Sequence, residues 1–199
     1  MSTKERAGRR VLVFCASSSA CDPTFHDAAA ELGRAIARAG NTLVYGGGAV
    51  GSMGALADAA LAEGGHVLGI IPRFMRELEW AHSGLTELRL VDDMQQRKRE
   101  MLRVADAIVT LPGGSGTLEE LFEAITMKRL GLFSKPIIIV NQDRFYDPLF
   151  QLLRSSVERR FMNDVHLDMW EAVDTIDDVL PAIASAAVWP EDALRFATR

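Results

Sequence analysis

The hydrophobic positions of the chain form short apolar runs that alternate with longer amphipathic or alanine-rich stretches. A run of four to seven aliphatic and β-branched residues is typical of a buried strand, whereas apolar residues repeating every three or four positions indicate a helix. The predicted strands are residues 11–15, 42–45, 67–71, 88–91, 107–111 and 136–140. The predicted helices are residues 24–39, 51–63, 94–105, 117–130, 146–161 and 176–187.

Strands and helices that alternate at this spacing predict a mostly parallel sheet with helices on both faces. We therefore interpret residues 11–187 as one Rossmann-like, doubly wound α/β domain, between a flexible N-terminal tail (1–10) and a C-terminal tail (188–199). Gly40, Gly64 and Gly131 lie where predicted helices end. Such sheets bind ligands at the carboxyl ends of their strands, near the point where the strand order reverses.

The composition narrows the class of protein. The chain has 199 residues, 48% of them hydrophobic, which is enough for one sizeable core. A net charge of −5 argues against a nucleic-acid surface, and no apolar run approaches the ~20 residues that span a bilayer. Cys15, Cys21 and four scattered histidines show no metal-ligand spacing. We expect a cytoplasmic protein without a metal, a nucleic-acid partner or a membrane segment.

A glycine-rich turn follows the fifth predicted strand directly: residues 112–120 read Pro-Gly-Gly-Ser-Gly-Thr-Leu-Glu-Glu. The N–H groups of such a turn, together with the positive end of the helix dipole, bind an anion such as phosphate without a metal. The Glu120 carboxylate, one helical turn further on, would weaken anion binding unless it stabilises positive charge on the ligand. The combination suggests chemistry on a sugar phosphate.

Thr117 and Glu120 also fit a structural interpretation. Thr-x-x-Glu is a capping box, in which Thr117 caps the helix and Glu120 bonds back to the N–H group of the cap. On the pattern alone this role is at least as well supported as a catalytic one. The helix would turn Leu118, Leu121, Phe122 and Ile125 toward the core, and Glu119 and Glu123 toward solvent.

A second glycine cluster, residues 46–54, follows the second predicted strand. It contains a Gly-x-Gly-x-x-Gly match to the dinucleotide fingerprint, but that fingerprint normally follows the first strand and a lone match is weak. We interpret Gly47 and Gly48 as part of a mononucleotide or sugar site, with close helix–sheet packing as the alternative. Ser18, in the loop after the first strand, offers a hydroxyl at the same edge or belongs to a plain turn before a cap at Thr24.

Arg97 and Lys98 lie at or within the inward apolar stripe of the predicted helix that Met94 begins. An unpaired buried charge costs several kcal/mol, so each side chain must find an anion or a carboxylate. For Arg97, a ligand and a salt bridge to Asp92 or Asp93 are equally good explanations.

Together these motifs resemble the LONELY GUY (LOG) family of cytokinin riboside 5′-monophosphate phosphoribohydrolases, which are often mislabelled as lysine decarboxylases. The resemblance covers residues 11 to 183 and includes Gln96-Arg97-Lys98, both glycine clusters and segments at 79–82, 85–88 and 135–136. Ala16, where the family more often has glycine, is a small departure. The resemblance implies a nucleotide substrate, no cofactor and a homodimer.

The resemblance also implies roles for particular residues. Arg97 and Glu120 match the catalytic pair of the family, which favours the functional interpretation of both. The residues expected to bind the substrate or its phosphate are Gly113, Gly114, Ser115, Gly116, Thr117, Ser18, Gly47, Gly48, Glu79, Met94 and Lys98. Apolar residues in or near loops belong either to the dimer surface or to the core: Phe74, Met75, Trp80 and Met94.

The implied reaction makes chemical demands that these residues can meet. Cleavage of an N-glycosidic bond passes through an oxocarbenium-like ribose, which a carboxylate such as Glu120 can stabilise while it takes a proton from water. Arg97 would orient the ribose or phosphate and keep Glu120 ionised. Two alternatives stay open: a non-catalytic nucleotide or molybdenum-cofactor binding protein of the same fold, and a hydrolase of ordinary purine or pyrimidine monophosphates. The sequence does not specify the base.

Overall fold

The computed structural model describes residues 8–78, 80–190 and 192–197, and over these residues it contains one sheet of parallel strands. Every pair of neighbouring strands is parallel. The strands are β1 (Arg10–Phe14), β2 (Thr42–Tyr45), β3 (His66–Pro72), β4 (Glu87–Val91), β5 (Ala107–Thr110), β6 (Ile137–Val140) and β7 (Glu171–Val173).

Helices cover both faces of the sheet. They are α1 (Pro23–Arg38), α2 (Gly51–Ala62), α3 (Arg73–Glu77), α4 (Met94–Val104), α5 (Ser115–Arg129), α6 (Asp147–Glu158), α7 (Val179–Ser185) and α8 (Leu194–Ala197), with short 3₁₀ turns at Gln142–Arg144 and Asp164–Met169. The apolar faces of α1, α2 and α7 pack in one core layer, and those of α4 and α5 in the other. The predicted doubly wound α/β fold is confirmed.

The strand order, β4-β3-β2-β1-β5-β6-β7, places a switch point between β1 and β5. From β1 to β4 the chain adds strands on one side of β1, and β5 then pairs with the other side. In β1, Val13 therefore pairs with Tyr45 of β2 on one side and with Val109 of β5 on the other. Where the connections after two adjacent strands run in opposite directions, a crevice forms between their loops. The loops after β1 and β5, including the predicted phosphate turn, therefore flank one crevice.

Two local predictions are wrong. Helix α1 is capped by Asp22, whose side chain accepts a hydrogen bond from the Thr24 N–H group at 2.9 Å, and not by Thr24. Phe122 is 38% exposed instead of lying in the core. The inner face of α5 is formed by Leu121, Ala124 and Ile125, which are buried.

The C-terminal segment packs on the domain at Trp189, which is buried and donates from its indole N–H to the Lys128 carbonyl at 2.9 Å. The Lys128 amine donates to the Lys135 carbonyl at 3.0 Å, and burial lowers its pKa to about 8. Part of the predicted tail 188–199 thus covers α5, whereas the domain limits themselves stay a prediction. Among the described helices, none is long and apolar enough to cross a bilayer.

Candidate active site

A cavity of about 580 Å³ opens at the carboxyl edge of the sheet. Its walls come from the loops after β1, β2, β3 and β5 and from the first turn of α4. This is the edge at which sheets of this topology bind ligands, and it contains the switch point between β1 and β5. No cluster of metal-ligating side chains occurs among the residues described.

The glycine-rich turn forms one end of the cavity. Helix α5 begins at Ser115 with Gly114 as its N-cap, and no side chain caps it. The N–H groups of the first turn therefore lack partners within the helix and point outward from its positive end. Gly114, Ser115, Gly116 and Thr117 line the cavity, and a Cβ atom added to Gly114 or Gly116 would meet nothing within 4 Å. The turn is thus an open anion site.

The predicted capping box is wrong, because α5 begins two residues before Thr117. Thr117 is instead a buried residue of the first turn. A Cβ atom on Gly113 would come within 2.3 Å of the Thr117 Oγ1 atom, so Gly113 must lack a side chain for Thr117 to lie beneath the turn. Gly113 itself does not line the cavity, and its part is to let the turn close over Thr117.

Glu120 lies on the same face of α5 as Thr117, three residues further along, and its side chain is only 7% exposed. It lines the cavity below the anion site. Burial raises the pKa of Glu120 to about 7, because a carboxylate loses hydration there; Arg97 opposes this shift, and the neighbouring Glu119 adds to it. The expectation that Arg97 favours the ionised form has the right sign, but burial outweighs it.

Arg97 is held in the cavity wall by the ends of two strands. Its Nε atom donates to the Ile70 carbonyl and its Nη2 atom to the Gly46 carbonyl, both at 3.1 Å. The remaining nitrogen, Nη1, lies 3.7 Å from Glu120 Oε1. The guanidinium group is therefore fixed by backbone acceptors on one side and faces the carboxylate on the other.

The alternative salt bridge from Arg97 to Asp92 or Asp93 is wrong. Asp93 caps α4 by accepting from the Gln96 N–H group at 2.7 Å. Asp92 approaches Arg73, with 3.4 Å between its Oδ1 atom and the Arg73 Nε atom. Both acidic residues are thus engaged outside the cavity.

The second glycine cluster makes room for Arg97 and joins two loops. A Cβ atom on Gly46 would stand 2.0 Å from the Arg97 Nη2 atom, so only glycine lets the guanidinium approach this strand end. Gly51 has a φ of +63°, and its Cα packs against the loop after β1, where a Cβ would come within 2.4 Å of the Ser18 carbonyl oxygen. The cluster therefore serves both packing and site formation.

The other predicted binding residues have different positions. Ser18, Gly48 and Met94 line the cavity, whereas Gly47 and Lys98 do not. Gly47 packs against β3, where an added Cβ would stand 3.2 Å from that of Ile71. Lys98 is buried and forms ion pairs with Glu119 and Glu123. Glu79 lies outside the described residues.

Several apolar residues that the sequence did not assign to the site complete the wall. Cys15, Ala49, Val50, Met53 and Ile71 line the cavity. Met75 and Trp80, two of the residues considered for the dimer surface, line it as well. The signal available in the sequence was their position, since each lies in or next to a loop that leaves a strand at the carboxyl edge.

Trp80 is held over the cavity by a short antiparallel contact. The Ala49 N–H group donates to the Trp80 carbonyl at 3.1 Å, and the His82 N–H group donates to the Gly47 carbonyl at 2.9 Å. Gly48 and Ala81 form the bridge between them. The indole remains 54% exposed and has apolar cavity surface beside it.

We expect the Glu120→Gln variant to be more stable than the wild type at pH 8. A carboxyl group whose pKa rises from 4.5 to about 7 on folding contributes stability below pH 4.5 that is lost as pH rises through 7. The loss is on the order of 3 kcal/mol, at 1.36 kcal/mol per pKa unit. Glutamine avoids it, so urea unfolding should show a much larger gain at pH 8 than at pH 5.

Glu100→Gln is the matched control for this stability measurement. Hydrogen bonds from Arg103 and Arg89 lower the pKa of Glu100 to about 2, so its charge stabilises the fold at pH 8. The control variant should therefore lose stability at pH 8. An equal gain for Glu120→Gln at both pH values would contradict the raised pKa.

The fold and the cavity define the chain as a Rossmann-type α/β protein with an anion-binding turn beside a buried arginine–glutamate pair. The family model described as "possible lysine decarboxylase" matches residues 53–183. The chain is 45% identical to cytokinin riboside 5′-monophosphate phosphoribohydrolase LOG2 of Arabidopsis thaliana over 161 residues, which cover 81% of this chain and 75% of that protein. It is 41% identical to the cytokinin riboside 5′-monophosphate phosphoribohydrolase of Rhodococcoides fascians, with 89% of this chain and 90% of that protein covered. The chain belongs to the LONELY GUY (LOG) family.

Solved structures share the fold at lower sequence identity. The molybdenum cofactor binding protein of Rippkaea orientalis superposes with a TM-score of 0.70 at 21% identity, covering 89% of this chain and 96% of that one. The molybdenum cofactor carrier protein of Chlamydomonas reinhardtii gives a TM-score of 0.69 at 17% identity, covering 90% and 98%. These similarities establish the architecture.

Proposed function

We propose that this protein hydrolyses the N-glycosidic bond of nucleoside 5′-monophosphates, giving the free base and ribose 5-phosphate. The observation that carries the proposal is the Arg97–Glu120 pair, buried in the same cavity as the open N-terminus of α5. The names of the relatives, which are phosphoribohydrolases of cytokinin ribosides, support the same reaction.

The N-terminus of α5 would bind the 5′-phosphate. The N–H groups of Ser115, Gly116 and Thr117 and the helix dipole suit a doubly charged anion. A phosphate fixed there holds the ribose over Glu120, one helical turn deeper. Such anchoring lowers the entropic part of the barrier, because sugar and carboxylate no longer have to find each other.

Glu120 would act on the ribose and on the attacking water. As a carboxylate it stabilises the positive charge that develops at the anomeric carbon, and it accepts a proton from the water that adds to that carbon. Its pKa of about 7 suits a base working near neutral pH, because the group is partly ionised and still basic. The bond between the anomeric carbon and the base nitrogen breaks, its electron pair leaves with the base, and the base nitrogen takes up a proton, so that overall the water proton ends on the base and Glu120 returns to the carboxylate.

Arg97 would have two tasks. Its Nη1 atom, 3.7 Å from Glu120 Oε1, favours the ionised carboxylate. The same face of the guanidinium borders the cavity and can donate to a ribose hydroxyl or phosphate oxygen. The two backbone carbonyls that hold Arg97 keep it in place before the substrate arrives.

The apolar part of the cavity would take the base. Met53, Met75 and Trp80 offer flexible thioethers and an aromatic face, which suit a planar base and an apolar substituent on it. Together with the names of the relatives, this wall supports a cytokinin riboside 5′-monophosphate as substrate. The alternative substrate is an ordinary monophosphate such as AMP.

One incubation tests the proposal and separates it from the alternatives. The protein is mixed with AMP or with isopentenyladenine riboside 5′-monophosphate, and free base is measured by chromatography. We expect base release from both, with a higher kcat/KM for the isopentenyl compound. Equal values would favour a general nucleotide hydrolase. Binding of either nucleotide without base release would contradict the proposed activity and favour a carrier such as a molybdenum-cofactor binding protein.

The decarboxylase description of the family model does not fit the cavity. Pyridoxal phosphate needs a lysine amine to form its Schiff base. No lysine lines the cavity among the described residues, since Lys98 is bound by two carboxylates and Lys128 lies in the core near Trp189. A glutamate beside the phosphate turn also adds nothing to such a reaction.

The proposal includes a homodimer in the cytoplasm. Phe74, Leu78 and Trp80 are exposed apolar residues on or just after α3. No residue of α3 is buried within the chain. Both cysteines are free, in keeping with a reducing compartment. Sedimentation velocity should give twice the chain mass, and a monomer at micromolar concentration would contradict the dimer.

A further inference from the structure

Lys98 carries a positive charge that the proposed reaction leaves unused. Its side chain is 8% exposed, and its Nζ atom is bonded to Glu119 and lies 2.6 Å from Glu123 Oε2. It is absent from the cavity wall and borders instead a small void behind Glu120, together with Phe14. To reach a phosphate at the N-terminus of α5, Lys98 would have to break its ion pairs with Glu119 and Glu123.

The charged groups around Glu120 come from two helices. Arg97 and Lys98 approach it from α4, and Glu119 and Glu123 flank it on α5. At the end of β1, Cys15 is a neutral neighbour, because burial raises the pKa of its thiol above the usual range. Two cations thus balance two carboxylates around the buried one.

Lys98 neutralises both of these neighbouring carboxylates at once. Glu119 and Glu123 both raise the pKa of Glu120, whereas Lys98 lowers it. Without Lys98, both would repel a negative charge on Glu120 with only Arg97 to oppose them; solvent screens the half-exposed Glu119 more than Glu123, which is 25% exposed. The ion pairs also fix the distance between α4, which carries Arg97, and α5, which carries Glu120.

We infer that Lys98 is a positioning residue which favours the ionised form of Glu120 by pairing with Glu119 and Glu123, and that it does not bind the substrate. The inference rests on the proposed function for its kinetic consequences. It replaces the role that the sequence suggested for Lys98, namely contact with the substrate or its phosphate.

The test is the pH dependence of AMP hydrolysis by the Lys98→Met variant, in which a side chain of similar length lacks the charge. We expect the acidic limb of kcat to move upward by about one pH unit, a shift typical of losing one nearby charge. Turnover at pH 6 should then fall about tenfold, whereas KM for AMP should stay within about twofold. Arg99→Met, an exposed position on the same helix, is the matched control and should leave both unchanged.

A second variant should shift the acidic limb of kcat in the opposite direction. Glu123→Gln removes a carboxylate that opposes ionisation of Glu120, so its acidic limb should move downward. The double variant Lys98→Met/Glu123→Gln should lie between the two single variants. A merely structural role for Lys98 would lower turnover at every pH without these opposite shifts, and would overturn the inference.

Two further outcomes separate this inference from the proposed function. A tenfold rise in KM with an unmoved acidic limb would make Lys98 a substrate ligand and refute the inference. If the wild type does not hydrolyse AMP, the proposed function fails, but carbon-13 NMR of labelled glutamate still follows the titration of Glu120 without nucleotide. That titration should move upward in Lys98→Met, and an unchanged midpoint would contradict the inference.

Discussion

The Glu120→Gln variant should lose at least about 10² in turnover on AMP while it still binds the nucleotide. Glutamine has nearly the same shape but neither accepts a proton from water nor carries the negative charge that stabilises the developing cation. Removing a positioned acid–base or electrostatic group typically costs this much. The phosphate contacts come from the N–H groups of α5, which the substitution leaves intact. Steady-state release of adenine and calorimetric titration with AMP measure the two properties.

The control for this kinetic experiment is Glu158→Gln, an exposed residue at the end of α6, which should keep wild-type turnover. Thermal unfolding of both variants verifies that the fold is retained. Near-wild-type release of adenine by Glu120→Gln would remove Glu120 from the mechanism. Loss of AMP binding together with turnover would instead indicate that the carboxylate holds the substrate.

Glu120 also explains why an acidic residue can stand beside an anion site. Burial and the nearby Glu119 and Glu123 make its negative charge costly, whereas Arg97 and Lys98 reduce that cost. The resulting pKa of about 7 leaves the group only partly charged at neutral pH. Repulsion of a bound phosphate is therefore moderate before the reaction, and the charge acts where the ribose cation develops.

The order and type of the main elements could be predicted because they are long or strongly apolar. The six predicted strands follow from β-branched runs separated by helical periodicity, whereas their order in the sheet is known only from the structure. The elements that were missed are short: β7 has three residues, α8 has four, and α3 has five, none of which is buried. Segments of that length contain at most about one and a half periods, too few for a recognisable repeat, and tertiary contacts decide their conformation.

The candidate site was predictable as a set of loops but not as a set of contacts. The glycine clusters after β2 and β5 indicated the correct edge of the sheet, because parallel strands present their carboxyl ends together. It was not predictable that the Lys98 side chain points toward Glu119 and Glu123 and away from the cavity, since this depends on how closely α4 and α5 pack. The start of α5 at Ser115 was also missed, because Gly114 caps the helix without a side chain and leaves no signal beyond the glycines.

The apolar wall shows the same limit. Met53 and Met75 lie on two different helices; Met53 falls within the second glycine cluster but was not assigned to the site, and no motif marks Met75. They meet because α2 and α3 follow neighbouring strands, and Trp80 joins them through the bridge next to it at Gly48 and through its own N–H group, which donates to the Met75 carbonyl at 3.2 Å. A sequence pattern cannot report contacts between distant segments that share no periodicity.

The Arg97→Met variant should lose about 10² or more in turnover and should also be less stable than the wild type. Methionine fills the space but donates no hydrogen bond, so the carbonyls of Ile70 and Gly46 lose their partners at a cost of about 1–3 kcal/mol each. The charge facing Glu120 disappears as well, which favours the protonated and inactive carboxyl. Turnover on AMP and urea unfolding at pH 7 measure the two effects.

Arg97→Lys separates the charge from the geometry. Lysine restores the positive charge, but a single ammonium group cannot bond both strand ends and face Glu120 at once, whereas the planar guanidinium does so. Turnover of Arg97→Lys should therefore lie between those of the wild type and Arg97→Met, with stability partly recovered. If Arg97→Met kept wild-type kinetics and lost only stability, the role of Arg97 would be purely structural, namely to bond the ends of β2 and β3. The reaction would then depend on Glu120 and the N-terminus of α5 alone.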